Sequence, residues 1–485
     1  MPSPVAAALT EEGDLVTTRK VTHPTLEERR AHGKEARSRV PRSSHEMWTS
    51  AHDRADPIAL LEAQNATREA DLVPVRHGRM AVSPFTFYRG AAKIMAADLR
   101  DTPRAGLEVQ LCGDAHLSNF GVYASPERTL LFDLNDFDET LPGPFEYDVA
   151  RLSASFVIAG RNNGFTPADA RGAAVAAVAA YRHAMQEFAG MRTLEIWYSR
   201  LDAEAVLTTA TATAGKAQRK AAARVEKGLA KARSKDNLQA LSKLTEIVDG
   251  HHRIVSDPPV LIPSRELTTA EGIDPEQVRT AVHGLLQAYR RTLADDRRQL
   301  LEHFQFVDFA RKVVGVGSVG TRAWIALLEG RDGEDPLFLQ IKEATSSVLE
   351  DHLPKSRFRQ PGERVVQGQR MMQAASDIFL GWTKGVEADR YYYWRQLRDM
   401  KGSAVIERLD PVTIGWYAGV CGWTLARAHA RSGDPVALAA YLGTGDRFDR
   451  AMATFAERYA DQNERDYEAF IDAIREGRLE AVEGV

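Results

Sequence analysis

The sequence predicts an α+β protein whose helical and β-rich parts are segregated along the chain. Three observations carry this. From residue 146 to about 250 the chain is alanine-rich and keeps a helical period; residues 304–345 hold apolar stretches separated by turns that read as strands; residues 411–485 return to helix. A chain of 485 residues with 44% hydrophobic and 27% charged side chains can bury a sizeable core.

In chain order, residues 1 to about 55 are polar, with no large apolar cluster before Met47 and Trp48, and predict an arm or a peripheral helix. Residues 19–42 carry eight Lys/Arg against three Glu, which suits a solvated tail or an arm that steers anionic substrates. From 81, SPFTFYRGAAKIMAADL predicts a helix and GLEVQLCGD a strand. NFGVYA, the turn SPER and TLLFDLND then predict a hairpin, with Asn119 at one end and Asp136 at the other. PGPFEYDVARLSASFVIAG opens the helical part. Within that part Lys216, Lys220, Arg224, Lys227, Lys231 and Lys235 step by four or three, placing six cations on one helix face. Such a face is either solvated or a polyanion site. EIVDGHHRIVSDPPVLIP looks extended, and its neighbours His251 and His252 would point to opposite faces, which disfavours a shared ion. GERVVQGQRMMQAASD predicts an amphipathic helix, and YYYWRQLRDMKGS a strand followed by a linker. The expected divisions are 1–80 as arm and peripheral helices, 81–303, 304–403, and 404–485 returning to the helical part.

Composition removes several functional classes. A net charge of −4 gives no global attraction to nucleic acid or anionic membranes. Cys112 and Cys421 are the only cysteines, so neither a disulfide framework nor a CxxC metal site is expected, and a reducing cytoplasm fits. MPSPVAAALTEEGDL lacks the pattern of a signal peptide, and no window approaches eighteen consecutive apolar residues.

Two strings carry the chemistry. In CGDAHLSNFG, Asp114 and Asn119 stand five apart across a short polar loop, so a carboxylate can reach a substrate hydroxyl while an amide oxygen reaches a metal. In LLFDLNDFDE an apolar run ends in Asp133, Asp136, Asp138 and Glu139, an acidic cluster suited to Mg²⁺ and a bound triphosphate. Further on, RKVVGVGSVGTRAWIALLEGRDGEDPLFLQIKEA places Gly315, Gly317 and Gly320 in a GxGxxG, and a later strand ends on Lys342.

The first two strings resemble the catalytic and metal loops of the protein kinase-like superfamily. The closest resemblance is to its aminoglycoside and choline phosphotransferases, whose pattern is HGDxHxxN followed by a hydrophobic strand and IDF or IDW. His116 and Asn119 fall on that pattern's His and Asn. The third string resembles the glycine-rich loop and phosphate-binding lysine of a kinase small lobe. Here it follows the catalytic loop, so the resemblance implies a two-lobed, circularly permuted kinase fold, with the helical lobe first. Permutation is tolerated where the original termini lie close together at a surface.

The resemblance also implies roles. Asp114 would take the acceptor's hydroxyl proton, and Asn119 with Asp136 would hold Mg²⁺, helped by Asp133 or Asp138. Asp136 is preferred because Asp148 follows it by the usual twelve positions. Backbone N–H groups around Gly315, Gly317, Ser318 and Gly320 would cover the phosphates of ATP, and Lys342, positioned by Glu363, would pair with them. Arg398 and Met400 would lie near the adenine. One departure is Cys112, which stands where the pattern has His. With only twelve positions between Asp136 and Asp148 there is little room for an activation loop, which favours a small-molecule acceptor. The chain is similar, too, to a bacterial family known as a domain of unknown function, which shares these strings and YYYWRQLRDMKGS.

Three other readings are open on sequence. GVGSVG could begin a Rossmann unit with Glu343 as its ribose acid, though TRAWIALLEGRDGED reads better as strand and turn than as a crossover helix. The same fold could serve a nucleotide-binding pseudokinase or an enzyme that transfers AMP. A metal-dependent hydrolase would use Asp114, His116, Asp133 and Asp136 and leave the glycine loop without a role.

Overall fold

The computed structural model describes residues 23–484 except 213–215, 272–273, 314, 388, 398–399 and 483. The protein is α+β, as the sequence predicts. Its β-rich part is an antiparallel sheet of six strands in the order Gly381–Lys384, Tyr391–Gln396, Pro336–Glu343, Ala323–Glu329, Gln305–Lys312, Leu261–Pro263. Strand alternation divides the side chains of Pro336–Glu343 between two layers. Leu337, Leu339 and Ile341 pack toward helix Pro275–Arg290, whose Tyr289 stacks on Trp394 at 4.5 Å. Phe338 faces the other way, with Ile325, Leu327 and helix Asn237–Leu244. Lys342 has the parity of Phe338, and it pairs across the sheet with Ala323 and Tyr393.

The sheet's own layer therefore begins before residue 304. Helix Pro275–Arg290 and strand Leu261–Pro263, placed by the sequence divisions in the helical part, go with the sheet: Val282, Leu286 and Tyr289 pack on its one face, and Leu261 packs with Ile325 and Phe338 on the other.

The helical part is built on Phe145–Asn162, Pro167–Gly190, Pro411–Ser432 and Arg447–Arg475, which share one continuous core. Helix starts follow local chemistry: proline stands in the first turn at Pro167, Pro411 and Pro435, and the side chains of Thr166, Asp410 and Asp434 cap the free N–H groups. Pro167–Gly190 and Pro411–Ser432 cross closely because Gly422 has no Cβ; one would fall 2.0 Å from the Ala177 carbonyl. The N-terminal helix Leu26–Arg39 lies on Pro435–Leu442, tied by the Arg29–Asp434 pair at 2.7 Å, so this part of the chain is a peripheral helix. Short helices from Pro57–Asn65 to Ala92–Leu99 fold back toward the sheet and are held by buried Arg76, which donates to Gln64, Asn65 and the Gly90 carbonyl. Among the described residues no helix is long and apolar enough to cross a membrane.

The basic helix forms as Lys216–Arg233; Lys227 and Lys231 are exposed, and Lys235 lies beyond its end, donating to the Lys401 carbonyl. His251 and His252 fall in the strand His251–Ile254, with His252 bonded to Thr245.

Candidate functional site

Strand Glu108–Leu111 delivers the chain to the loop 112–119, and hairpin Phe120–Ala124 with Leu130–Leu134 leads to the acidic loop 135–139. The two loops touch main chain to main chain at Gly113, which has φ +83°; a Cβ there would lie 2.2 Å from the Glu139 carbonyl oxygen.

The first turn of Phe145–Asn162 braces the loop. Asp148 accepts from the N–H of Cys112 at 2.7 Å and of Gly113 at 3.0 Å, and His429 joins it at 3.2 Å while bonding Tyr181 on its other nitrogen. The loop is thus backed by an Asp–His pair. Cys112 itself is fully buried with its thiol pushed far up by burial, so it packs as a small apolar residue.

Asp114 lies on a cavity of about 450 Å³. Its Oδ1 accepts from Arg151 Nε at 2.7 Å, and the Arg151 guanidinium lies 3.8 Å over the Tyr88 ring and donates to the Tyr88 carbonyl. Burial pushes the Asp114 carboxyl up, and Arg151 opposes it. His116 is buried, its Nε2 3.7 Å from Asp114 and its Nδ1 without a partner; burial, then Arg151, holds it neutral. Asn119 Nδ2 donates to the Asp114 carbonyl at 2.7 Å, leaving its amide oxygen as the end available to a cation.

Across the cavity, Asp136 accepts from the Asp138 N–H and lies 3.7 Å from Lys342 Nζ. Lys342 is ion-paired directly with Asp138, which also accepts from Tyr393 at 2.8 Å. Burial and the neighbouring Asp138 push Asp136 up. Burial acts on Asp138 in the same sense, but Lys342 and Tyr393 outweigh it and hold that carboxyl below its usual range. Lys342 stays charged, since Asp136 and Asp138 outweigh its own burial.

The glycine turn closes the cavity, which Gly315, Gly317 and Ser318 line. Gly315 and Gly320 have φ of +68° and +85°, and a Cβ on Gly317 would stand 3.0 Å from the Arg89 carbonyl oxygen.

Three expectations need correction. Asp133 does not face the cavity: it is 1% exposed, ion-paired with Arg427, and accepts from the N–H groups of Leu134 and Ala374. Both its oxygens are used inside the core, so it supplies no metal ligand. Lys342 meets Asp138, not Glu363; helix Pro361–Met372 turns Arg364 toward the loop, where it donates to the Asp138, Thr140 and Thr345 carbonyls. Met400 packs by Val122 and Leu229, away from the cavity lining, and Arg398 lies outside the described residues. The Rossmann alternative fails because 323–329 is a strand and Glu343 is consumed by Arg322 and Arg390.

Among the described residues no group of three His, Cys, Asp or Glu side chains can hold a metal alone. The oxygen donors of Asn119 and Asp136 still fit Mg²⁺, which is bound through one or two protein oxygens together with phosphate and water.

Sequence reading missed Arg151, His429, Tyr393 and Arg89. Arg151 follows Asp148 by three positions, so one helical turn could have signalled it; His429 and Arg89 sit on helices remote in sequence with no local sign.

No curated protein and no solved structure matches the chain. Residues 68–473 match the model of a family described as uncharacterized protein conserved in bacteria, DUF2252. That match spans most of the chain, and the protein belongs to this bacterial family.

Proposed function

We propose that this protein is an ATP- and Mg²⁺-dependent phosphotransferase that moves the γ-phosphoryl group to a hydroxyl of a small-molecule acceptor. The observation that carries this is convergence. Asp114, Asn119 and Asp136 from one part of the chain and the turn 315–318 from another line one cavity, with Lys342 paired just behind it. A succession of strand, glycine turn, strand, lysine strand, helix, strand and strand over 305–396 is the one a permuted kinase-like small lobe calls for. A cavity of about 450 Å³ is of ligand size.

Asp114 accepts the proton of the acceptor's hydroxyl as the new O–P bond forms and the bond to the ADP oxygen breaks. Arg151 fixes that carboxylate and favours its ionised form. Asn119 and Asp136 are the residues to hold Mg²⁺, which when bound neutralises phosphate charge. The N–H groups of the glycine turn cover the phosphates, and Lys342 exchanges part of its contact with Asp138 for a phosphate oxygen.

The hydrolase alternative loses a ligand with Asp133 locked to Arg427. The test is calorimetric titration with ATP, with and without Mg²⁺, on the wild type, Asp136→Ala and Lys342→Ala. Magnesium-dependent binding lost in both variants supports the proposal, and absence of nucleotide binding by the wild type refutes it. Label transferred from γ- but not α-labelled ATP separates phosphoryl from AMP transfer.

A further inference from the structure

The charges around the cavity do not cancel evenly. Of the acids that line it, Asp114 is matched by Arg151, Asp138 by Lys342, Asp351 by Lys93 at 2.5 Å, and Glu343 by Arg390 at 2.9 Å, while Asp136 shares Lys342 at 3.7 Å and Glu139 accepts from the Val348 N–H. Two lining cations have no such match among the described residues: Arg68 and Arg89. Arg68 donates to the Val319 carbonyl and so is tied to the glycine turn. Arg89 has no hydrogen bond or ion pair among the described residues, and its Nε is buried without a partner.

Arg89 stands on the Asp114 side of the cavity. It is carried by the short helix Pro84–Gly90, next to Tyr88, whose carbonyl holds Arg151. Its charge bears on both Asp114 and His116. The acid that acts most strongly on it, Glu407, is exposed on the solvent side. Arg89 is half-buried with its Nε shielded from water and without a partner, and its planar fork matches phosphate or carboxylate oxygens.

We propose that Arg89 is an acceptor-binding residue and that the acceptor is anionic, carrying a phosphate or carboxylate group beside the hydroxyl presented to Asp114. This rests on the phosphotransferase reading for the word acceptor, while the anion site stands on geometry alone. Neutral sugars and amines would leave the Arg89 donors unused.

The test uses the full chain saturated with Mg²⁺ and a non-hydrolysable ATP analogue, titrated calorimetrically with inorganic phosphate and with malonate. The expected result is binding that weakens about tenfold to a hundredfold in Arg89→Gln, with an intermediate loss in Arg89→Lys and unchanged affinity for the ATP analogue. Tighter binding of phosphate than of malonate assigns a phosphorylated acceptor, and the reverse assigns a carboxylate. Anion binding indifferent to both substitutions overturns the proposal, as does loss of the nucleotide in its place. Should Arg89→Gln not fold, the Arg89→Lys titration decides alone. If the wild type binds phosphate through Arg89 but binds no nucleotide, the phosphotransferase reading fails and the anion site stands.

Discussion

Substituting Asp133 should damage the fold, and substituting Asp136, three residues later, should damage ligand binding. The Asp133 carboxylate and the Arg427 guanidinium are each 1% exposed, so water cannot replace either partner. Asparagine keeps the shape of Asp133 but removes its charge and turns one acceptor into a donor facing an N–H. Arg427, whose Nη1 is already without a hydrogen-bond partner, would be left as a buried cation with no counter-charge. Breaking one side of a buried pair costs about 3–5 kcal/mol, so Asp133→Asn should lose about 4 kcal/mol. Asp136→Asn relieves repulsion from Asp138, leaves the Lys342–Asp138 pair in place, and should change stability by less than about 1 kcal/mol. Urea denaturation with an unchanged slope reads the first effect, and Mg²⁺-dependent binding of ATP reads the second. An Asp133→Asn protein as stable as wild type but blind to Mg²⁺ would refute the argument and return Asp133 to the metal site.

Other predictions follow from the same contacts. Asp148→Asn should lower turnover far more than ATP affinity, since its carboxylate holds the Cys112 and Gly113 N–H groups beneath Asp114 and touches no cavity residue directly; equal losses in both would count against the brace. Gly320→Ala should cost about 1–2 kcal/mol, because φ is +85° and the new Cβ would sit 3.1 Å from Arg68, and it should weaken nucleotide binding; thermal melts and titration check both. Burial raises the Glu146 carboxyl from 4.5 to about 7, so the folded state holds that proton more tightly than the unfolded one. Its stabilising effect is complete below pH 4.5 and is lost as pH rises through about 7. Glu146→Gln should therefore be more stable than wild type at pH 8, by up to about 3 kcal/mol, with the difference closing near pH 4.5; parallel stability–pH curves would contradict this.

The sequence was most informative where function is local. Asp114 and Asn119 share a loop of a few residues, so their spacing alone placed them together, and Gly315, Gly317 and Ser318 follow the same logic. It was least informative where a residue's partner is remote. Nothing around Asp133 distinguishes it from Asp136, because the Arg427 that claims it lies 294 residues away. Glu363 was misplaced by a single position: Arg364, its neighbour on the helix, takes the inward direction, and helix periodicity cannot fix that phase to within one residue. The boundary at 304 missed helix Pro275–Arg290 because an amphipathic pattern shows that a face is buried but not which layer buries it.

The order of the parts along the chain has a consequence for its birth on the ribosome. The Asp138 that waits for Lys342 is made 204 residues earlier, and the Asp148 that waits for His429 is made 281 residues earlier. At about 5–20 residues per second, tens of seconds separate the loop 112–119 from its brace. During that interval the acidic loop emerges without its lysine, its carboxylates repelling one another, and a chain halted before residue 429 would carry the loop 112–119 without the His429 that backs Asp148. The geometry of the site is therefore completed late in synthesis, and a stalled or clipped product lacks the contacts that hold its two loops.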